Sequence, residues 1–376
     1  MKVLFACGGT AGHINPGLSI AAALGSRCPD IQIRFAGNPD GMEARLVPGA
    51  GFEFVPFRAM GIQRRLTPYN IYRNAKSVCL LLTAQARAKK VIRAFGPDLV
   101  VGTGGYVSGP ILLTAAKMGI PTATHEQNAF PGVTTKLLAK QVDKVLLAVE
   151  KAKEYLPKEA AGKCIVTGNP VRPEILTERR EEARRKCGVP EGKLCILSFG
   201  GSLGAQRVNE AVADVMAWHI KEGKLHHIHA TGQYGVELLP RLLQERKVPY
   251  SDNPCLDIRE YIDDMPACLA AADLVICRAG ASTLSELAAA GRASILIPSP
   301  NVAENHQYHN AMVLQNAGAA VVLQEKELTG EALVKLVKEL TQDPARLRRL
   351  GENAKKIAAP RAVEEIADQL LALVQK

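Results

Sequence analysis

Residues 272–291 read ADLVICRAGASTLSELAAAG, and their centre, Cys277–Glu286 (CRAGASTLSE), decides the fold. The apolar run 272–276 has the length and composition of a strand buried on both faces, and the pattern from Leu284 to Gly291 is helical. Between them, Gly280 supplies a tight turn. A strand, a turn and a helix make half of a parallel βαβ unit. The start of such a helix leaves backbone N–H groups unpaired beside a partial positive charge, so Gly280, Ser282 and Thr283 form a ready cradle for phosphate. Glu286 cannot attract phosphate, but its carboxylate can accept two hydrogen bonds from a sugar diol such as ribose. The pairing suggests a nucleotide-diphosphate ligand. The alternative is purely structural: Gly280 permits the turn, Ser282 caps the helix, and Glu286 is a solvated first-turn acid.

The same plan recurs along the chain. Val3–Ala6 enters Gly8-Gly9-Thr10-Ala11-Gly12-His13, with a helix expected from about Pro16 to Leu24. Ile31–Phe35 reads as a second strand, and residues 98–101 enter the glycine turn 102–106. Residues 121–124 lead to the polar cluster His125-Glu126-Gln127-Asn128. In the second half, residues 194–199 run into Gly200-Gly201-Ser202-Leu203-Gly204-Ala205, with a helix from Gln206. Strands alternating with helical patterns give an α/β class with doubly wound parallel sheets. Two similar halves imply two Rossmann-like domains facing a cleft, 1–165 and 166–360. After Pro360, the spacing of Val363, Ile366, Leu370, Leu373 and Val374 predicts an amphipathic terminal helix over 361–376 that packs back on the first domain.

Composition removes several classes of function. The nine cysteines are odd in number and lack C-x-x-C spacing, so they read as reduced core residues without a disulfide framework or zinc site. The chain opens directly on a strand, with no export signal expected. The run 78–86 falls far short of the roughly 20 residues that span a bilayer. G-x-G-x-x-G and G-x-x-x-x-G-K-[ST] spacings are both missing, which disfavours hydride transfer and P-loop phosphotransfer.

The net charge of +10 is unevenly divided, +11 in residues 1–165 and −1 in 166–376. A positive first half suits nucleic acid, an anionic membrane or a polyanionic substrate. Nucleic acid is disfavoured, because aromatics are 5% of the chain and no RRM, KH or helix-turn-helix pattern appears. From Met60 to Arg93, apolar residues interleave with Arg64, Arg65, Arg73, Lys76, Arg87, Lys89, Lys90 and Arg93. That is the composition of an element lying in a membrane interface, although an ordinary core-facing amphipathic helix shares it.

Read together, GGTAGH (8–13), HEQN (125–128), GNPVR (168–172), GGSLGA (200–205), YIDDM (261–265), AGASTLSE (279–286) and ENHQYHNA (304–311) closely resemble, in order and spacing, the MurG family of inverting GT-B glycosyltransferases, within family 28. The resemblance spans nearly the whole chain. It implies transfer of N-acetylglucosamine from UDP-GlcNAc to the 4-hydroxyl of MurNAc-pentapeptide in undecaprenyl-diphosphate-linked lipid I, giving lipid II. It further implies a peripheral position on the cytoplasmic side of the cell membrane, an anionic membrane surface as partner, and no bound metal or other cofactor. Carried over residue by residue, it gives donor contacts at Thr10, Ala11, Gly12, Asn128, Arg172, Ser202, Ile262, Ala281, Ser282, Thr283, Leu284, Ser285, Glu286 and Gln307. Arg172 adds fixed charge at the diphosphate, the backbone at Ile262 reads uracil, and Gln307 and Asn128 reach the sugar. His13 leads as the base that takes the acceptor proton, with Glu126 and then His125 behind it. Four departures from the family pattern stand out. Ala11 occupies a position that is often glycine, Leu203 one that is usually glutamine, Thr135 one where asparagine is common, and His306 the first of a frequent Gln-Gln pair.

Overall fold

The computed structural model describes residues 1–59, 68–251 and 253–375, without the side chains of 68–79 and 81. The chain divides into two compact units, Met1–Val171 with Ala359–Lys376, and Arg172–Ala358. The sequence had suggested a boundary at 165/166, a few residues earlier.

In chain order, unit 1 contains β1 (Lys2–Cys7), α1 (Ala11–Arg27), β2 (Gln32–Gly37), α2 (Glu43–Gly49), β3 (Glu53–Pro56), α3 (Pro68–Phe95), β4 (Leu99–Gly104), α4 (Ser108–Lys117), β5 (Thr122–Glu126), α5 (Val133–Leu138), β6 (Lys144–Leu147) and β7 (Cys164–Val166). Unit 2 follows with α6 (Pro173–Thr177), α7 (Arg180–Lys186), β8 (Leu194–Phe199), α8 (Gln206–Glu222), β9 (Leu225–Ala230), α9 (Leu238–Glu245), β10 (Leu256–Arg259), α10 (Met265–Ala271), β11 (Leu274–Cys277), α11 (Ala281–Ala290), β12 (Ala293–Leu296), α12 (His306–Asn316), β13 (Val321–Val322), α13 (Gly330–Thr341) and α14 (Pro344–Lys356). The last helix, α15 (Ala362–Val374), belongs to unit 1, where Ile366, Ala367 and Leu370 join the core with Ile14 and Ile20 of α1.

The sheet of unit 1 runs β3-β2-β1-β4-β5-β6-β7 and that of unit 2 runs β10-β9-β8-β11-β12-β13. Neighbouring strands pair in parallel throughout the described residues. Both faces are covered, as parallel sheets require. In β1, Val3, Phe5 and Cys7 enter one core layer while Leu4 and Ala6 enter the other. In β8, Cys195, Leu197 and Phe199 alternate in the same way against Ile196. Strand order reverses between β1 and β4 in unit 1 and between β8 and β11 in unit 2. In open α/β sheets, ligands sit at the carboxyl ends of the strands at such a switch point.

Two local expectations are corrected. Helix α1 starts at Ala11, so Pro16 lies inside it and His13 falls in its first turn. Strand β5 continues through His125 and Glu126, which pair in register with Leu146 and Leu147 of β6. The interfacial reading of 60–93 lies partly outside the described residues, namely 60–67 and the side chains of 68–79 and 81. Among the described residues, no helix is long and apolar enough to cross a membrane.

Candidate active site

At the switch point of unit 2, the turns after β8 and β11 feed two helix starts into one cavity of about 550 Å³. Gly200, Gly204, Gly280, Thr283, Arg278 and Gln307 are among its lining residues. The GGSLGA turn depends on its glycines. Gly204 has φ +83° and a Cβ there would stand 2.3 Å from the Thr231 carbonyl, while one on Gly200 would stand 2.5 Å from the Ala205 amide. Neither α8, capped by Ala205, nor α11, capped by Gly280, receives a side-chain cap. The structural alternative of Ser282 as the cap is therefore corrected: Ser282 lies in the helix's first turn. The first-turn amides of both helices lack intrahelical partners, and two positive helix ends beside one cavity favour an anion with two phosphates.

Side chains complete this site. Gln307 Oε1 accepts from the amides of Ala279 (3.2 Å) and Ser299 (2.9 Å), so its NH₂ group is turned away from them. Gln307 enters α12 after Glu304 and Asn305, both left-handed at φ +54° and +50°. Strain of this kind concentrates where a backbone is held for a purpose. Arg172 and Glu286 form a bidentate pair, Nε to Oε1 at 2.7 Å and a terminal nitrogen to Oε2 at 3.0 Å. Glu286 is thus held in one orientation with lone pairs to spare. Ser285 donates to the Ala281 carbonyl (3.1 Å); Leu284 and Ile262 bury their side chains in the core, and the Leu284 amide already donates to the Gly280 carbonyl (3.0 Å), so of Ile262 only the backbone is left to face a ligand. Ser202 is exposed on the GGSLGA turn and is not among the residues lining the cavity. Exposed Leu203 is its neighbour. His306 opens α12 with Nδ1 at 2.8 Å from the Ala303 carbonyl. Arg278 was missed in the sequence: it pairs with Glu325 and donates to the carbonyls of Ile297 (3.2 Å) and Pro298 (3.4 Å).

Unit 1 carries different chemistry at the same topological place. Thr10 is the exposed N-cap of α1, and Ala11, Gly12 and His13 form its first turn. Ala11 is helical and absent from the positive-φ residues, so it needs no glycine. The turn after β4 closes on them, with Gly104 at φ +109°; a Cβ there would stand 2.5 Å from His13 Nδ1. His13 is half-buried, with Nδ1 3.1 Å from Gln127 Oε1, and its carbonyl accepts from Thr103 Oγ1 at 2.7 Å.

Glu126 is buried and its two oxygens accept four hydrogen bonds. Oε1 takes the amide and the side-chain nitrogen of Asn128, both at 3.0 Å, and Oε2 takes the Gly132 amide at 3.0 Å and Thr135 Oγ1 at 2.6 Å. Thr135 therefore serves as a donor to this carboxylate. His125 is fully buried with Nε2 at 3.0 Å from the Gly168 carbonyl, and burial lowers its pKa. Glu43 also escaped the sequence reading; its buried carboxylate accepts from the amides of Gly9 (3.2 Å) and Asn38 (2.9 Å) and supports the first glycine turn.

Two doubly wound parallel-sheet units, each with glycine turns at its switch point, are the architecture of the GT-B glycosyltransferases. Residues 3–147 match the glycosyltransferase family 28 N-terminal domain and residues 195–370 the family 28 C-terminal domain. The chain belongs to glycosyltransferase family 28. It is 44% identical over 366 residues to the UDP-N-acetylglucosamine–N-acetylmuramyl-(pentapeptide) pyrophosphoryl-undecaprenol N-acetylglucosamine transferase of Acetivibrio thermocellus, covering 97% of this chain and 96% of that one. The protein of the same name from Halothermothrix orenii is 42% identical over 362 residues, covering 96% and 95%. Among solved structures, the crystal structure of Acinetobacter baumannii MurG aligns with a TM-score of 0.75 and 29% identity over 99% of each chain.

Proposed function

We infer that the chain is the UDP-GlcNAc-dependent transferase that moves N-acetylglucosamine to the 4-hydroxyl of MurNAc-pentapeptide in lipid I, giving lipid II for peptidoglycan synthesis. The observation that carries this is the 44% identity, over nearly the full length of both chains, to a relative bearing that name.

The cavity of unit 2 supports a donor role for that unit. The amides at the starts of α8 and α11 take up charge on the departing UDP, which is the largest requirement of this displacement. Glu286, aligned by Arg172, accepts from the ribose diol with the lone pairs that the guanidinium leaves free. Arg172 acts mainly by holding Glu286. Gln307 directs its NH₂ at sugar oxygens and is therefore a donor to the N-acetylglucosamine. In unit 1, His13 removes the proton from the acceptor 4-hydroxyl as that oxygen attacks the anomeric carbon and the bond to UDP breaks, with inversion. Glu126, with four donors around it, holds the 126–135 loop and Asn128. Its occupied lone pairs suit anchoring better than proton transfer.

The basic excess of residues 1–165 and the exposed Leu82, Lys89, Lys90 and Arg93 of α3 support peripheral association with an anionic membrane surface at the cytoplasmic face. Flotation with liposomes should then depend on anionic lipid, and binding indifferent to lipid charge would remove that part of the reading. The test of the reaction is transfer of radiolabelled N-acetylglucosamine from UDP-GlcNAc to a short-chain lipid I analogue, with UDP release followed in parallel. Acceptor-dependent labelling is expected. A folded chain that binds or epimerises the donor without labelling the acceptor would overturn the assignment.

A further inference from the structure

A chain of hydrogen bonds in unit 1 can be followed from a group whose role is fixed. The Gly168 carbonyl can only accept, so His125 Nε2, 3.0 Å away, carries a proton. Burial holds His125 neutral, leaving its Nδ1 as an acceptor. Gln127 Nε2 lies 3.0 Å from that Nδ1 and 3.1 Å from each of the Thr103 and His125 carbonyls. Three acceptors around one nitrogen, two of them backbone carbonyls, admit only an amide NH₂ there, with one of its two hydrogens shared. The reversed amide would set its oxygen against two carbonyl oxygens and a lone pair. Gln127 Oε1 therefore faces His13 Nδ1 at 3.1 Å, and that contact is a hydrogen bond only if Nδ1 carries the hydrogen.

We propose that Gln127 is a positioning residue that fixes His13 as its Nδ1–H tautomer and so leaves Nε2 unprotonated to take the acceptor's proton. The inference rests on the reading of His13 as base and supplies what that reading lacks, a reason for the lone pair to be on the outer nitrogen. Gln127 is 4% exposed and acts through His13 without touching substrate. The relay runs Gly168, His125, Gln127, His13, each member orienting the next. A neutral amide here orients the imidazole without the charge that a carboxylate would add beside the imidazolium.

The test combines a spectrum with kinetics. In the full chain labelled with ¹⁵N-histidine, long-range ¹H–¹⁵N correlations at neutral pH should show His13 as the Nδ1–H tautomer. Gln127→Leu should shift His13 towards Nε2–H and lower kcat about 100-fold with the KM for UDP-GlcNAc unchanged. A native His13 in the Nε2–H form would overturn the proposal, and that spectrum needs no variant to fold. So would a folded Gln127→Leu chain whose His13 keeps the Nδ1–H form, or whose kcat stays within about threefold of native. Activity in a His13→Ala chain would instead remove the base reading while leaving the tautomer result standing, so the two failures are distinguishable.

Discussion

The two switch-point sites share a topology and differ in almost everything that does chemistry. In unit 2, backbone amides at two helix starts surround a cavity, with Gln307 and the Arg172–Glu286 pair as fixed polar groups. In unit 1, the same position holds His13, wired through Gln127 to His125, beside the saturated carboxylate of Glu126. The difference teaches that the doubly wound sheet specifies where a ligand sits, while side chains in the turns specify what happens to it. On the reading proposed above, one site holds charge that is already present and the other moves a proton.

The largest effect that would break this comparison is on turnover. His13→Ala should reduce kcat about 1,000-fold, within the range for loss of a general base, with the KM for UDP-GlcNAc within twofold of native. Steady-state kinetics with varied donor checks it, and a raised KM at unchanged kcat would reassign His13 to donor binding. Next in size is Gln307→Glu. It keeps the acceptor for the Ala279 and Ser299 amides but removes the NH₂ donors, so the KM for UDP-GlcNAc should rise about 10–30-fold without loss of thermal stability. An unchanged KM would withdraw Gln307 from the sugar.

Gly104→Ala sharpens the unit 1 side, because it forces a side chain into a left-handed backbone and against the His13 ring. We expect kcat to fall about tenfold and stability by about 1–3 kcal/mol, measured by turnover and denaturant unfolding. A Gly104→Ala chain with native turnover would show that the imidazole is not held by this contact.

The smallest and most diffuse effect is pH-dependent stability, which should be greatest in unit 2. Burial lowers His219 and His229 to about 4 and His227 well below its ordinary value, and it also lowers His226, which is buried beside them. The unfolded chain binds protons at these imidazoles near pH 6.5 while the folded chain does not, so their contribution is complete above 6.5 and is lost as pH falls towards 4. Hydrogen exchange at pH 7.5 and 5.5 should show unit 2 losing protection more than unit 1, where His125 is the buried imidazole with a lowered pKa. Equal loss in both units would contradict this ordering.

Much of this was legible in the residues. Leu274–Cys277 is apolar on both faces because Val275 and Cys277 enter one core layer and Leu274 and Ile276 the other, and Gly280 to Gly291 delimits α11 with ordinary helix punctuation. The start of α1 was misread because Pro16 resembles an opening proline, whereas it sits inside a helix begun at Ala11. The length of β5 was misread because His125 and Glu126 are polar; they are buried with their hydrogen bonds satisfied from Gly168, Gln127, Asn128, Gly132 and Thr135. The Arg172–Glu286 pair joins residues 114 positions apart, beyond any local pattern. Gln127 carried no signal of its own, since its role lies in the orientation of one amide. The three histidines of β9, LHHIHA, gave no warning either that a strand core would hold them neutral.

The central claim is that donor affinity resides in unit 2 and proton removal in unit 1. It is tested most directly by calorimetric titration of UDP-GlcNAc into the native, His13→Ala and Glu286→Gln chains. The account predicts a native Kd for His13→Ala and a Kd raised about 10–100-fold for Glu286→Gln, the loss of charge-assisted hydrogen bonds to the diol. Weakened binding in His13→Ala with undiminished binding in Glu286→Gln would contradict it.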